Sequence, residues 1–346
     1  MSTEPLSAHL LLCYNDNIMA KYYATIAGLP NIGVDDRKLP IQTDALQAEL
    51  RQELTKRDRR LLDLLLMEQE IPQILETINA WLSDDSIHWE DDPSEIELEP
   101  KEPLETIDAQ ELADYIIAVQ QRTKRPRTKH LPDFIKEYIE MRLPDPELEE
   151  ELEEERAEMR EELQQAEEPY TIWQLRLEQD KLMAMYYDYL MHLKNSFVAE
   201  WAEFNLNIKN ILAAYTSRQL GFDPKEYIIG GGTLQHHLRT SQAADFSITE
   251  ELFPQIQQLV NISREEDIAR REQLIDRLRW DWLEEQTFFK PFDIEYLLAY
   301  YLELEILERW VSLNEETGEQ VFRQIVSQLK HESTTSLEEF KRKQKK

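Results

Sequence analysis

Three of the chain's seven glycines stand side by side, at Gly230, Gly231 and Gly232, in a sequence of 346 residues. So few glycines leave few places where the backbone turns through positive φ without strain. Three together mark a turn or the close approach of another segment. Elsewhere Leu, Glu, Gln and Ala are plentiful, and these residues favour helix almost throughout. The predicted fold class is all-α. A hydrophobic content of 41% is enough for a folded core.

The glycines close a stretch, Phe197 to Leu234, that reads FVAEWAEFNLNIKNILAAYTSRQLGFDPKEYIIGGGTL. Phe197, Trp201, Phe204, Ile208, Ile211, Leu212 and Tyr215 recur at helical spacing and fall on one face. Asn207 and Asn210 sit on or beside that face, so both are predicted to be partly buried. Gly221 and Pro224 stop the helix. Tyr227, Ile228 and Ile229 then lead into the glycines.

The rest of the chain reads as helices with two interruptions. Residues 1–18 form a loose extension, and Met19 would make a natural start. Residues 19–143 form an N-terminal helical region. In it Tyr22 to Leu29 are short and end at Gly28 to Pro30. Thr43 caps a helix from Asp44, and a second runs from about Asp58, with its pattern interrupted at Pro72. Residues 83–105 read as a linker, and helices follow at Leu112–Val119 and Leu131–Leu143. Residues 144–169 are an acidic insert, helical or disordered. From Asp145 to Glu168 it holds thirteen acidic and two basic residues, and it offers little apolar area to bury. Residues 170–335 form a C-terminal helical region. Thr171 to Tyr215 is one long helix or two abutting ones. Leu234–Arg239 is short, further helices begin at Phe253 and run over Ile268–Trp282, Ile294–Leu313 is strongly apolar, and Thr317–Leu329 is the last helix. A basic tail, 336–346, closes the sequence.

The formal net charge is -31 with a pI near 4.6, which repels nucleic acid and anionic lipid overall and suits basic protein partners. The single cysteine, Cys13, excludes an internal disulfide and fits a reducing compartment. No stretch reaches the roughly 18 apolar residues of a membrane span, and the N-terminus lacks a signal-peptide pattern. These features read as cytoplasmic.

Chemistry-bearing motifs are scarce. No GxSxG, HExxH or CxxC is present. His236 and His237 point about 100° apart on a helix, with no further ligand close in sequence, and read as surface histidines. The triple glycine lacks the Gly-Lys-Ser/Thr of a phosphate loop. The basic island RTKRPRTKH, Arg122 to His130, has five Lys/Arg in nine residues without interleaved aromatics. It reads as a loop that docks an acidic partner or the chain's own insert, not as a nucleic-acid site. The tyrosines at 186, 187, 189, 296, 300 and 301 read as core. No catalytic residue, metal ligand or cofactor is expected.

The Phe197–Leu234 stretch resembles the C (or d) subunit of V-type and A-type rotary ATPases. That family carries an Asp/Asn-x-x-Asn-Ile/Leu pattern on a helix, then a Gly-containing turn, an aromatic-aliphatic segment and a Gly-Gly pair. Here the matching positions are Asn207, Asn210 and Ile211, then Gly221, then Tyr227, Ile228 and Ile229, then Gly231 and Gly232. Asn207 stands where that family commonly has Asp. FDIEYLLAYYLELEILERW is similar to the family's closing helix through Ala299, Tyr300 and Glu305, with Arg309 and Trp310 near the place of a family arginine. The opening KYYATIAGLPNIGVDD is similar to a bacterial branch encoded with V-type ATPase genes.

The resemblance implies a funnel of three helical bundles that does no chemistry. Such a subunit receives the central-shaft subunits and seats on the proteolipid ring, one copy per complex. It is peripheral to the inner membrane on the cytoplasmic side and couples ATP hydrolysis or synthesis to ion movement. On this reading a valine at Gly231 or Gly232 clashes or strains the backbone and disrupts assembly. The alternative from composition alone is a freestanding all-helical acidic scaffold for basic protein partners.

Overall fold

The structure is a computed structural model and describes residues 22–84, 86–93, 95–142 and 169–313, with backbone alone over 169–174. The 1–18 extension, all but the last residue of the 144–169 insert, the helix expected at Thr317–Leu329 and the basic tail lie outside the described residues. Those residues are all-α, with eleven α-helices, one 3-10 turn and no strand. They form two compact units that cut across the regions read from the sequence. One joins residues 22–55 to 272–313, and the other is continuous over 56–271.

The discontinuous unit holds α1 (Tyr23–Gly28), α2 (Thr43–Glu53), most of α10 (Ile268–Thr287) and α11 (Ile294–Ser312). Leu46 and Leu50 of α2 and Leu297, Leu298 and Leu304 of α11 are buried to 1% exposure or less. Hydrogen bonds knit its two chain segments together: Tyr22 N donates to the Phe292 carbonyl at 3.0 Å. The Tyr300 hydroxyl donates to the Pro30 carbonyl at 2.8 Å. Thr43 is the first residue of α2 and not its cap, a position Gln42 takes. Thr43 shares a face with Leu46 and Leu50, so winding the helix draws it inward. Its hydroxyl is buried without a partner among the described residues.

The continuous unit holds α3 (Lys56–Leu82), α4 (Ala109–Gln120), α5 (Asp133–Met141), α6 (Pro169–Met191) and α7 (Ser196–Leu220). After these come the 3-10 turn Pro224–Tyr227, α8 (Thr233–Thr240) and α9 (Ile256–Ser263). Pro72 does not interrupt α3. Proline leaves the Glu68 carbonyl without its helical partner. Ile71, Ile74, Leu75 and Ile78 are buried to 4% or less, and that burial holds the second half in line with the first. The stretch from 171 to 215 is two helices. The Asn195 side chain accepts from Val198 N at 3.0 Å, caps α7 and ends the competition for one continuous helix. Tyr186 and Tyr187 are buried, and their hydroxyls donate to the Leu64 carbonyl and to Glu68 Oε1, both at 2.9 Å. These bonds lock α6 onto α3. Helix α7 packs against α6, α8, α9 and the 3-10 turn, and residues on more than one of its faces are buried.

Candidate functional site

The site begins where α7 ends. Gly221 adopts the left-handed conformation at φ 81°, the usual device for leaving a helix. Asp223 caps the following 3-10 turn by accepting from Lys225 N at 3.0 Å. The chain then runs back along α7 through Ile228 to Gly232, and three contacts from α7 hold it there. Asn210, 1% exposed, donates Nδ2 to the Ile229 carbonyl and accepts the Ile229 N–H on Oδ1, both at 2.9 Å. One side chain thus replaces two backbone bonds of a neighbouring strand. Leu206 packs under Gly230. Asn207, 7% exposed, accepts from Gln235 Nε2 at 3.0 Å and ties down the first turn of α8. From the other side Arg239 Nη2 donates to the carbonyls of Ile228 and Gly230, both at 2.7 Å. Tyr227 lies half-buried with the Arg176 guanidinium 4.5 Å above its ring.

The three glycines do different work. Gly230 has φ 71°, and a Cβ there would stand 3.3 Å from Leu206 Cδ2. Gly232 has φ 130°, a region nearly closed to other residues, and its Cβ would meet Gln235 Oε1 at 2.7 Å. Gly231 is exposed, has ordinary backbone and would meet nothing within 4 Å. The expected clash or strain therefore holds at Gly232 and fails at Gly231, where the backbone faces open space. Gly232→Ala is expected to cost about 2 kcal/mol of stability, and Gly231→Ala less than about 0.5. Urea unfolding of both variants checks this, and equal midpoints would contradict it.

Tyr300 and Glu305 belong to the other unit. Tyr300 is buried. Its hydroxyl is pushed up to about 12 by burial, with the charges of Tyr296 and Glu303 adding to the effect. Glu305 accepts a hydrogen bond from Tyr301, whose hydroxyl burial and the Glu305 charge hold well above its ordinary range. Sequence reasoning missed the buried carboxylates of this unit, among them Asp276 and Glu303. Asp276, 1% exposed, accepts from Arg279 Nη1 at 3.0 Å and from Trp310 Nε1 at 2.9 Å, and pairs with Arg309 at 3.4 Å. Glu303, 9% exposed, has its carboxyl pushed up to about 8 by burial and by the nearby charge of Glu284.

Glu303 gives a signed pH dependence. Its ordinary value is 4.5. Between 4.5 and about 8 the folded state keeps a proton that the unfolded state releases. Its contribution to stability is therefore complete below pH 4.5 and lost as pH rises to about 8. Glu303→Gln is expected to flatten that decline in thermal unfolding followed across the window. An unchanged slope would contradict it.

His236 and His237 have ring centroids 6.5 Å apart. Among the described residues no group of three His, Cys, Asp or Glu side chains converges as metal ligands would. Nor is any described helix long and apolar enough to cross a membrane. The basic island is partly internal: Arg125 donates to the carbonyls of Ala118 and Thr123 at 2.8 and 3.0 Å and so caps the end of α4. The geometry offers a buried polar clamp that fixes the Ile228–Gly232 segment against α7.

The chain belongs to the family described as "Protein of unknown function (DUF2764)", whose model matches residues 19–333. No curated protein and no solved structure matches it.

Proposed function

We propose that this protein is a non-catalytic central-stalk adapter of a V/A-type rotary ATPase, linking the central shaft to the membrane proteolipid ring. One observation carries the reading. Asn210, Asn207 and the glycine turn, matched to the ATPase subunit pattern as separate positions, are one hydrogen-bonded assembly in the folded chain. A stalk adapter transmits torque and needs such stiffness at its surfaces. The exposed, side-chain-free backbone at Gly231 suits close approach by a partner. Phe288 and Phe289, 74% and 88% exposed, add an aromatic knuckle of the kind that anchors protein interfaces. A funnel of three helical bundles, present in one copy per complex, is part of this reading.

Affinity purification of the tagged protein from gently solubilised membranes, with mass spectrometry of what is retained, tests it. Shaft subunits, catalytic subunits and ring proteolipid are the expected companions. Basic soluble proteins without any ATPase subunit would overturn it in favour of the acidic scaffold. Gly231→Val is expected to keep the wild-type melting temperature and lose most of the captured subunits. Full capture by that variant would remove the glycine turn from the interface.

A further inference from the structure

A cavity of about 430 Å³ opens at the start of α3, within the range of roughly 300 to 1,000 Å³ usual for small-molecule sites. Lys56, Arg59 and Arg60 from the first turns of α3 line it, and Lys129 and His130 from the loop before α5 face them. Leu64, Met67 and Pro132, all buried, add an apolar floor, and Asp63 is the one carboxylate in the lining. Four cations therefore surround one pocket in a chain with 70 acidic and 39 basic residues. Gathering like charges is costly, and a chain so rich in carboxylates could readily pair them. Among the described residues, however, the side chains of Lys56, Arg59 and Lys129 form no ion pair, and Arg59 Nε is buried without a hydrogen-bond partner. Within the same set Arg60 donates only to the Tyr189 hydroxyl, at 3.3 Å.

The loop that brings Lys129 and His130 to the pocket is fixed in advance. The Glu111 carboxylate on α4 accepts the backbone N–H groups of Lys129, His130 and Leu131 at 2.9, 2.7 and 3.1 Å. Burial works to raise the Glu111 carboxyl, but these bonds outweigh it and hold the group below its ordinary range. The loop's N–H groups are thus satisfied internally, and the Lys129 side chain takes no part in that clamp. The four cations converge on one cavity with an apolar floor instead of lying along a strip, which favours a compact polyanion over an acidic peptide. Guanidinium forks and ammonium groups together match the oxygens of linked or clustered phosphates.

We infer that this pocket binds a multiply phosphorylated group, carried by a soluble small molecule or by a lipid head. The site rests on residues 56–132 and stands or falls apart from the stalk reading.

Calorimetric titration of the full chain with inorganic triphosphate tests the soluble source. Flotation with phosphatidylcholine vesicles, with and without a phosphatidylinositol bisphosphate, tests the lipid source. Saturable binding in either arm is expected, weakened roughly 10-fold by Arg59→Gln and by Lys129→Gln, the loss of one charge-assisted hydrogen bond each, and weakened further by salt. Lys129 is exposed, so Lys129→Gln carries the test if Arg59→Gln fails to fold. Binding in one arm alone identifies the source. No binding in both arms, binding indifferent to both variants, or binding of a glutamate peptide but not of phosphates would overturn the inference.

Discussion

Asp276→Ala is expected to destabilise the unit formed by residues 22–55 and 272–313 by about 3 kcal/mol. The carboxylate is 1% exposed and serves two arginines and an indole. Arg279 is 17% exposed and Arg309 44%, so solvent recovers part of what they lose, which sets the figure at the low end for a broken buried pair. The part-buried Trp310 N–H loses its acceptor as well. Asp276→Asn is not expected to rescue, because its amide NH₂ must face either the indole N–H or a guanidinium, donor against donor. Combining Asp276→Ala with Trp310→Phe is expected to cost less than the sum of the two, since the second change removes the orphaned donor. Thermal unfolding of the four proteins measures the cycle. A loss under about 0.5 kcal/mol for Asp276→Ala would mean that the hub is ornamental.

Asn210→Ala is expected to cost about 2 to 3 kcal/mol, the expense of stripping partners from the N–H and carbonyl of Ile229 together. The pairing also predicts an order among substitutions. Asn210→Asp keeps an acceptor for the Ile229 N–H but turns a second oxygen toward the Ile229 carbonyl, now 2.9 Å from Nδ2, so it is expected to be no better than alanine. At position 207 only the acceptor is used, by Gln235. Asn207→Asp therefore retains its bond and is expected to be the mildest of the three. Urea midpoints for the series test this, and Asn207→Asp as damaging as Asn210→Asp would refute the assignment of roles.

Helices were legible because apolar spacing and helix formers agree along most of the chain. Gly221 announced the end of α7, and the asparagines at 207 and 210 announced themselves as polar residues on an apolar face. What could not be read depended on contacts distant in sequence. Pro72 reads as a break until the burial of Ile71, Ile74 and Ile78 is known. Asp276 sits in a chain with 70 acidic residues, and nothing local distinguishes it from the others. The basic start of α3, KRDRR from Lys56 to Arg60, looks like a solvated helix end. Only the fold brings it to the basic island some seventy positions later. Among the glycines composition identified the cluster, but only φ values separate Gly230 and Gly232, which are compelled, from Gly231, which is free.

The discontinuity of the first unit bears on the order in which the molecule is made. Residues 56–271 are one uninterrupted run, and their helices can find one another as synthesis proceeds. Residues 22–55 emerge from the ribosome earlier, but α11, against which α2 packs, begins only at Ile294. Until then Leu46, Leu50 and Leu54, all buried in the finished unit, have no core to enter. The segment translated early is therefore completed late. Closing a loop of that length is slow compared with local helix pairing, so these leucines wait longest for their final contacts.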